Sequence, residues 1–233
     1  MAESIIFNED CMAVMTRYQD KFFDLAVVDP IYGDVTAGGY ITGKSAGGVG
    51  PHVKHHSAAW EQQKTGQDYF DELFRVSKNQ IIWGGNYFMK EIARDSQCWI
   101  VWDKCHPDGI KFADAELAWT SFNKKTRIFR FLWNGMCQGT VLDGTKMQGD
   151  KRLNEKRIHP MQKPVALYNW IFRQYAQPGF KILDTHLGSG SSRIAAYDAG
   201  LDFYGCEIDK TYFDLEEERF ARHAAQINLF IDE

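Results

Sequence analysis

Long apolar runs are the first thing missing from this 233-residue chain. No stretch approaches the ~20 apolar residues that cross a bilayer, so no membrane partner is expected. The opening Met1-Ala2-Glu3-Ser4 has neither the basic region nor the apolar segment of a secretory signal. Cysteine is sparse as well. The five residues, at 11, 98, 105, 137 and 206, are odd in number and never spaced as Cys-x-x-Cys. They read as reduced thiols of a cytoplasmic protein, which excludes a disulfide scaffold. Cys105-His106 lacks a second pair at ligand spacing, and His52, His55 and His56 lie in a polar, glycine-rich stretch, so no metal is expected. An excess of positive charge is also absent: 27 Lys and Arg face 31 Asp and Glu. Its distribution is uneven, however. Between Lys124 and Arg173 the acidic residues are only Asp143, Asp150 and Glu155, against eleven basic ones. Such a segment suits either a phosphate-backbone footprint or a solvated surface, and charge alone does not choose.

What is present is core. Hydrophobic residues make up 44% and aromatics 14%, enough for one large α/β domain over residues 1–233. The patterning predicts a strand at Ser4–Phe7, a helix over Met12–Tyr18 and a buried strand from Phe22 to Val28. Residues 34–66 break the pattern and read as a flexible loop. A helix over Asp68–Val76 follows, then a strand Gln80–Trp83, a Gly84-Gly85-Asn86 turn and a strand Cys98–Trp102. Ala115–Thr120 and Thr126–Trp133 read as a hairpin. Residues 134–158 have no period, Val165–Tyr175 is a helix with Pro164 at its first turn, and Phe180–Leu183 is another buried strand.

Two constellations carry chemistry. In the first, the apolar run Leu25–Val28 stops at Asp29-Pro30-Ile31-Tyr32, which offers an acceptor, a rigid carbonyl and a flat ring at a strand end. An open α/β sheet binds ligands at that end. An amine on a planar base could donate to Asp29 and the Pro30 carbonyl while its ring stacks on Tyr32. In the second, Asp184-Thr185-His186-Leu187-Gly188-Ser189-Gly190-Ser191-Ser192 joins a strand to the helix Arg193–Ala199. A glycine turn between strand and helix brings backbone N–H groups to a nucleotide-like ligand. One strand later Glu207 and Ile208 follow Phe203-Tyr204-Gly205-Cys206, placing an acid where a ribose diol can be held. The glycines do not spell Gly-x-Gly-x-x-Gly, and Ser192-Arg193 would crowd a pyrophosphate. A nucleoside with a small zwitterionic tail fits better.

Taken together these motifs resemble the amino-methyltransferases of DNA that act on adenine N6 or cytosine N4, in the group whose catalytic motif precedes its glycine motif. Asp29-Pro30-Ile31-Tyr32 is similar to that family's Asp-Pro-Pro-Tyr, and Asp184 to Gly190 to its Asp-Pro-Phe-x-Gly-Ser-Gly. His159-Pro160-Met161-Gln162-Lys163-Pro164 matches its His-Pro-x-Gln-Lys-Pro letter for letter. Glu9-Asp10-Cys11 resembles the turn that holds the cofactor's adenine. Ile31 stands where the family usually has a second proline, and Thr185-His186 where it has Pro-Phe.

The resemblance implies a doubly wound, mostly parallel, seven-stranded Rossmann-like sheet with circularly permuted motif order. It implies S-adenosylmethionine as cofactor, no metal, and double-stranded DNA as partner, in a cytoplasmic protein of bacterial or phage origin. A homodimer and a restriction endonuclease partner stay open. The catalytic residues implied are Asp29, Pro30 and Tyr32. The implied cofactor residues are Asp10, Cys11, Asp29, Gln162, Lys163, Asp184, Leu187, Gly188, Ser189, Gly190, Ser191, Glu207 and Ile208. DNA contacts are expected from Lys151, Arg152, Lys156 and Arg157, with Gln138, Asn154 and Arg157 able to pair with base edges inside a target-recognition insertion, 134–158. Loop 34–66 would close over a flipped-out base. Ring-carbon methylation is not expected, because no proline is followed by a nucleophilic cysteine. The family's cytosine members usually begin the tetrapeptide with serine, so Asp29 points to adenine N6. Cytosine N4 and a non-catalytic nucleic-acid-binding relative are the alternatives.

Overall fold

The computed structural model describes residues 2–33, 64–106, 113–134, 137–139 and 154–231. Its central strand is β2 (Phe23–Val28), in which every residue except Asp24 is buried. Alternation divides that strand between two cores. Leu25 and Val27 pack with Leu167, Ile171, Ala195 and Ala196 on one face of the sheet. Ala26 and Val28 pack with Met15, Phe70, Leu73 and Phe88 on the other. A strand covered on both faces reads as a continuous apolar run, which is why no alternation marks it in the sequence.

Around it, in chain order, lie β1 (Ser4–Phe7), α1 (Cys11–Met15), α2 (Gln67–Val76), β3 (Ser77–Trp83), α3 (Met89–Ile92), β4 (Trp99–Asp103), β5 (Ala115–Thr120) and β6 (Arg127–Arg130). The small strands β7 (Leu132–Asn134) and β8 (Cys137–Gly139) come next, followed by α4 (Val165–Tyr175), β9 (Lys181–Asp184), α5 (Ser191–Asp198), β10 (Asp202–Cys206) and α6 (Lys210–Ile231). The main sheet has the order β1-β10-β9-β2-β3-β5-β4-β6. Only β5 runs against the others; it is antiparallel to both its neighbours. The α/β class and the mostly parallel sheet are as expected. No described helix is long and apolar enough to cross a membrane.

Two expectations are corrected. The sheet has eight strands rather than seven, because β6 adds to the edge of β4 in parallel. For the same reason β5 and β6 are not a hairpin. Both sides of β5 are taken, by β3 and β4. The chain therefore passes the start of β4, where the Trp99 N–H donates to Thr126 Oγ1 at 3.2 Å. The exposed Arg127 and Arg130 on β6 are what an edge strand tolerates.

This topology sets the site. From β2 the chain returns through α2 to β3 on one side, and from β9 it returns through α5 to β10 on the other. The crevice between the carboxyl ends of β2 and β9 is thus the switch point where such sheets hold ligands. Asp29 and Asp184 stand at those two ends.

Candidate active site

Asp29 follows β2 directly, and its carboxylate meets two donors. The Tyr32 hydroxyl donates to Oδ1 and the Lys163 ammonium to Oδ2. Lys163 sits in the turn before α4 and is only 4% exposed. Its ammonium also reaches Glu116 Oε2 on β5 at 3.1 Å, and Glu116 Oε1 lies 2.6 Å from Lys104 Nζ. Burial pulls the Lys163 ammonium toward deprotonation, but Asp29 and Glu116 outweigh it and hold its pKa above the usual value. Burial likewise pushes Glu116 up, and Lys163 and Lys104 overcome it, leaving that carboxyl at about 2. Lys163 and Glu116 are therefore both charged near neutral pH, in the middle of a line Asp29–Lys163–Glu116–Lys104.

The Tyr32 ring packs against Tyr87, with centroids 5.2 Å apart, and against Phe88 at 5.8 Å. It crosses the Gly84 backbone, where φ is +62° and a Cβ would overlap the ring. That glycine serves both a left-handed turn and a close approach. The Ile31 carbonyl accepts from the Thr65 N–H at 3.1 Å, so the position where the family usually has proline anchors the chain that returns at residue 64.

Across the crevice, Asp184 Oδ1 accepts from the His186 N–H at 3.1 Å and Oδ2 from Ser192 Oγ at 2.5 Å. Burial, with Asp29 and Glu207 nearby, raises its carboxyl to about 7. Glu207 follows β10 and is 6% exposed. It accepts from the Gly188 and Asp209 N–H groups, each at 2.9 Å. Asp10 caps α1 by accepting from the Met12 N–H at 2.9 Å. Cys11 lies beside it, its thiol pushed by burial to about 12 and so unreactive. Ile208 is 51% exposed, an apolar side chain at the crevice rim.

Other expected residues are used differently. Gly190 (φ +70°) has the Glu216 side chain where a Cβ would go, so its lack of a side chain serves packing inside the protein. The Ser189 carbonyl and Ser191 Oγ accept from Arg219 at 2.6 and 3.0 Å, and Arg219 also holds Glu155 at 2.7 Å. Gln162 turns into its own loop, accepting from the Ile158 N–H at 2.9 Å. Lys163 points to Asp29 and Glu116. Gln138 exchanges two hydrogen bonds with the Glu155 backbone, at 3.1 and 2.8 Å. Arg157 donates to the Trp133 carbonyl at 3.0 Å and lies over the Trp133 ring. Two of the three side chains expected at base edges, Gln138 and Arg157, are thus engaged within the protein. Lys156 is exposed. Lys151, Arg152, His52, His55 and His56, and loop positions 34–63, lie outside the described residues.

Thr185-His186 proves to be a polar joint. Thr185 Oγ1 lies 2.6 Å from the Tyr69 hydroxyl of α2 and 2.9 Å from His186 Nδ1. The His186 ring meets the Tyr69 ring edge-on at 5.5 Å, and burial lowers its pKa to about 4, so it is neutral. Sequence reasoning missed Lys104, Glu116, Tyr69 and Glu216. Glu116 had a signal: a lone carboxylate inside the apolar strand Ala-Glu-Leu-Ala-Trp-Thr. Glu216 had none, being one of three consecutive glutamates on α6.

Comparison with known proteins decides the family. The family model described as DNA methylase, covering N6 and N4 methyltransferases, matches residues 23–218. The chain belongs to this family. The type II methyltransferase M.HinfI of Haemophilus influenzae is 24% identical over 92% of the chain and 67% of its own length. M1.MboII of Moraxella bovis is 29% identical, over 41% of the chain and only 37% of that protein. Solved structures share the fold. The M1.HpyAVI–SAM complex superposes with a TM-score of 0.56 at 19% identity, covering 94% of this chain and all of that one. The cytosine-N4-specific PvuII DNA methyltransferase gives 0.55 at 12% identity, covering 94% and 87%.

Proposed function

We propose that the protein transfers a methyl group from S-adenosylmethionine to the N6 amine of adenine in DNA, on a base turned out of the duplex. The observation that carries this reading is the Asp29 carboxylate at the switch point, backed by Tyr32 and facing the acids across the crevice. An exocyclic amine is a poor nucleophile because its lone pair is delocalised into the ring. Among the described residues each Asp29 oxygen has one donor, and it keeps lone-pair capacity for another. Accepting amine hydrogens at Asp29 and at the Pro30 carbonyl localises the nitrogen pair, so orientation supplies much of the rate.

The crevice suits a cationic nucleoside. Asp29, Asp184 and Glu207 crowd one another enough to raise Asp184 further, beyond the effect of burial, and a positive charge there relieves them. Asp10, Cys11 and Ile208 would border the base of such a ligand, and Glu207 would take its ribose. When bound, S-adenosylmethionine supplies the electrophilic methyl carbon. Exposed Lys156 offers a phosphate contact, which positions DNA without reading sequence.

The test is methyl transfer to mixed-sequence DNA followed by nucleoside mass spectrometry. N6-methyladenine is the expected product, and N4-methylcytosine would move the target to cytosine. Asp29→Ala should lower turnover far more than tenfold, the equivalent of ~1.4 kcal/mol of barrier, with cofactor affinity measured separately. A variant that keeps more than a tenth of wild-type turnover removes Asp29 from the chemistry.

A further inference from the structure

We infer that Lys163, aimed by Glu116 and Lys104, is a positioning residue that fixes the Asp29 carboxylate and keeps it ionised when the target base closes the pocket. The inference rests on the reading of Asp29 given above. Its support is geometric. Lys163 bridges Asp29 and Glu116, and Lys104 holds the far oxygen of Glu116 at 2.6 Å. The Lys163 ammonium lies over the Trp83 ring, 5.3 Å from its centroid, and the Lys104 ammonium lies over Trp102 at the same distance. Trp83 and Trp102 are fully buried and meet edge-to-face at 6.5 Å. The alternating charges are therefore laid along a rigid aromatic wall, where attraction is stronger than in water.

A flat base entering beside Asp29 displaces water, and desolvation favours the neutral carboxylic acid. A neutral Asp29 would accept an amine hydrogen far more weakly than the carboxylate does. The fixed ammonium opposes that loss without taking part in proton transfer, since its own proton is held by two carboxylates. Tyr32 cannot substitute, because it contributes a dipole and no charge. The three strands involved, β2, β4 and β5, come from separate parts of the chain, so the line Lys104–Glu116–Lys163–Asp29 forms only in the folded sheet.

Single-turnover methyl transfer measured against pH tests this. In Lys163→Met the acid limb of the rate profile should move up by about one pH unit or more, while Lys163→Arg should largely restore it. In Glu116→Gln the basic limb should move down, because Lys163 loses one of its two carboxylates. Lys163→Met leaves Glu116 with one cation, so the Lys163→Met/Glu116→Gln double variant supplies the same acid-limb measurement in a fold free of that imbalance. An independent readout uses ligand-free protein: the Lys163 ammonium resonance in nitrogen-15 NMR should titrate at lower pH in both Glu116→Gln and Asp29→Asn. Unmoved pH limbs and an unmoved ammonium midpoint, with Asp29→Asn inactive, overturn the positioning role alone. An Asp29→Asn enzyme with wild-type turnover overturns the reading of the site, and this inference with it.

Discussion

At the scale of single residues, Tyr32 has two jobs that substitution can separate. Its hydroxyl donates to Asp29 while its ring spans Tyr87, Phe88 and Gly84. A stacking role alone predicts that phenylalanine is tolerated; the hydroxyl contact predicts that it is not. Tyr32→Phe should cost turnover about 1.5–3 kcal/mol, the range for a hydrogen bond to a charged group. Tyr32→Ala should cost roughly 1–3 kcal/mol more through the lost ring. Wild-type turnover in Tyr32→Phe would leave the ring as the only contributor. Gly190 is the other instructive residue. Because Glu216 fills the space a side chain would need and φ is positive, Gly190→Ala should destabilise the fold by ~1–3 kcal/mol. Cofactor affinity per folded molecule should change little. Calorimetry showing a large loss of affinity at unchanged melting temperature would return Gly190 to the ligand surface.

At the scale of elements, the β7–β8 pair is tied down by side chains expected to face DNA. Gln138 pairs with the Glu155 backbone in both directions, and Arg157 reaches back to Trp133. Gln138→Ala should therefore speed amide exchange across 132–139 and lower stability by about 1–2 kcal/mol. Unchanged exchange would mean that the pair stands without that clamp. These contacts were not legible in the sequence for a physical reason: Gln and Arg suit base edges and backbone amides equally well, and composition does not say which is nearer. Where burial on both faces decides the outcome, elements were legible. β2, β9 and α4 lie within a residue or two of the expected spans, and the acids at the ends of β2, β9 and β10 followed from them. The hairpin expected at 115–133 failed because strand partners are chosen across the sheet. The charge line through Glu116 and Lys104 was invisible because it joins four segments that only the fold brings together.

For the whole molecule, two neighbours at the crevice floor should shape stability against pH in opposite senses. Asp184 has its folded pKa raised from 3.8 to about 7 by burial, so its contribution is full below pH 4 and is lost as pH rises through 7. His186 has its folded pKa lowered by burial from 6.5 to about 4, so its contribution is full above 6.5 and is lost as pH falls toward 4. Between pH 4 and 6.5 the two nearly cancel. Asp184→Asn should make stability rise with pH across that window, and His186→Gln should make it fall, each by on the order of 1–4 kcal/mol. Denaturant melts at several pH values check this, and parallel profiles for wild type and both variants would contradict it. A last consequence follows from the pairing of β1 with β10, in which Ser4 sits opposite Phe203. During synthesis β1 must wait for β10. At ~5–20 residues per second, the chain between Ser4 and Phe203 takes roughly 10–40 s to emerge. Within that interval β2, β3, β4 and β5 can assemble well before the half bearing Asp184 and Glu207 has been made. A ribosome-bound nascent chain therefore passes through a long stage with Asp29 in place and Asp184 absent, when the edge of β2 that β9 later covers is unpaired and open to other chains.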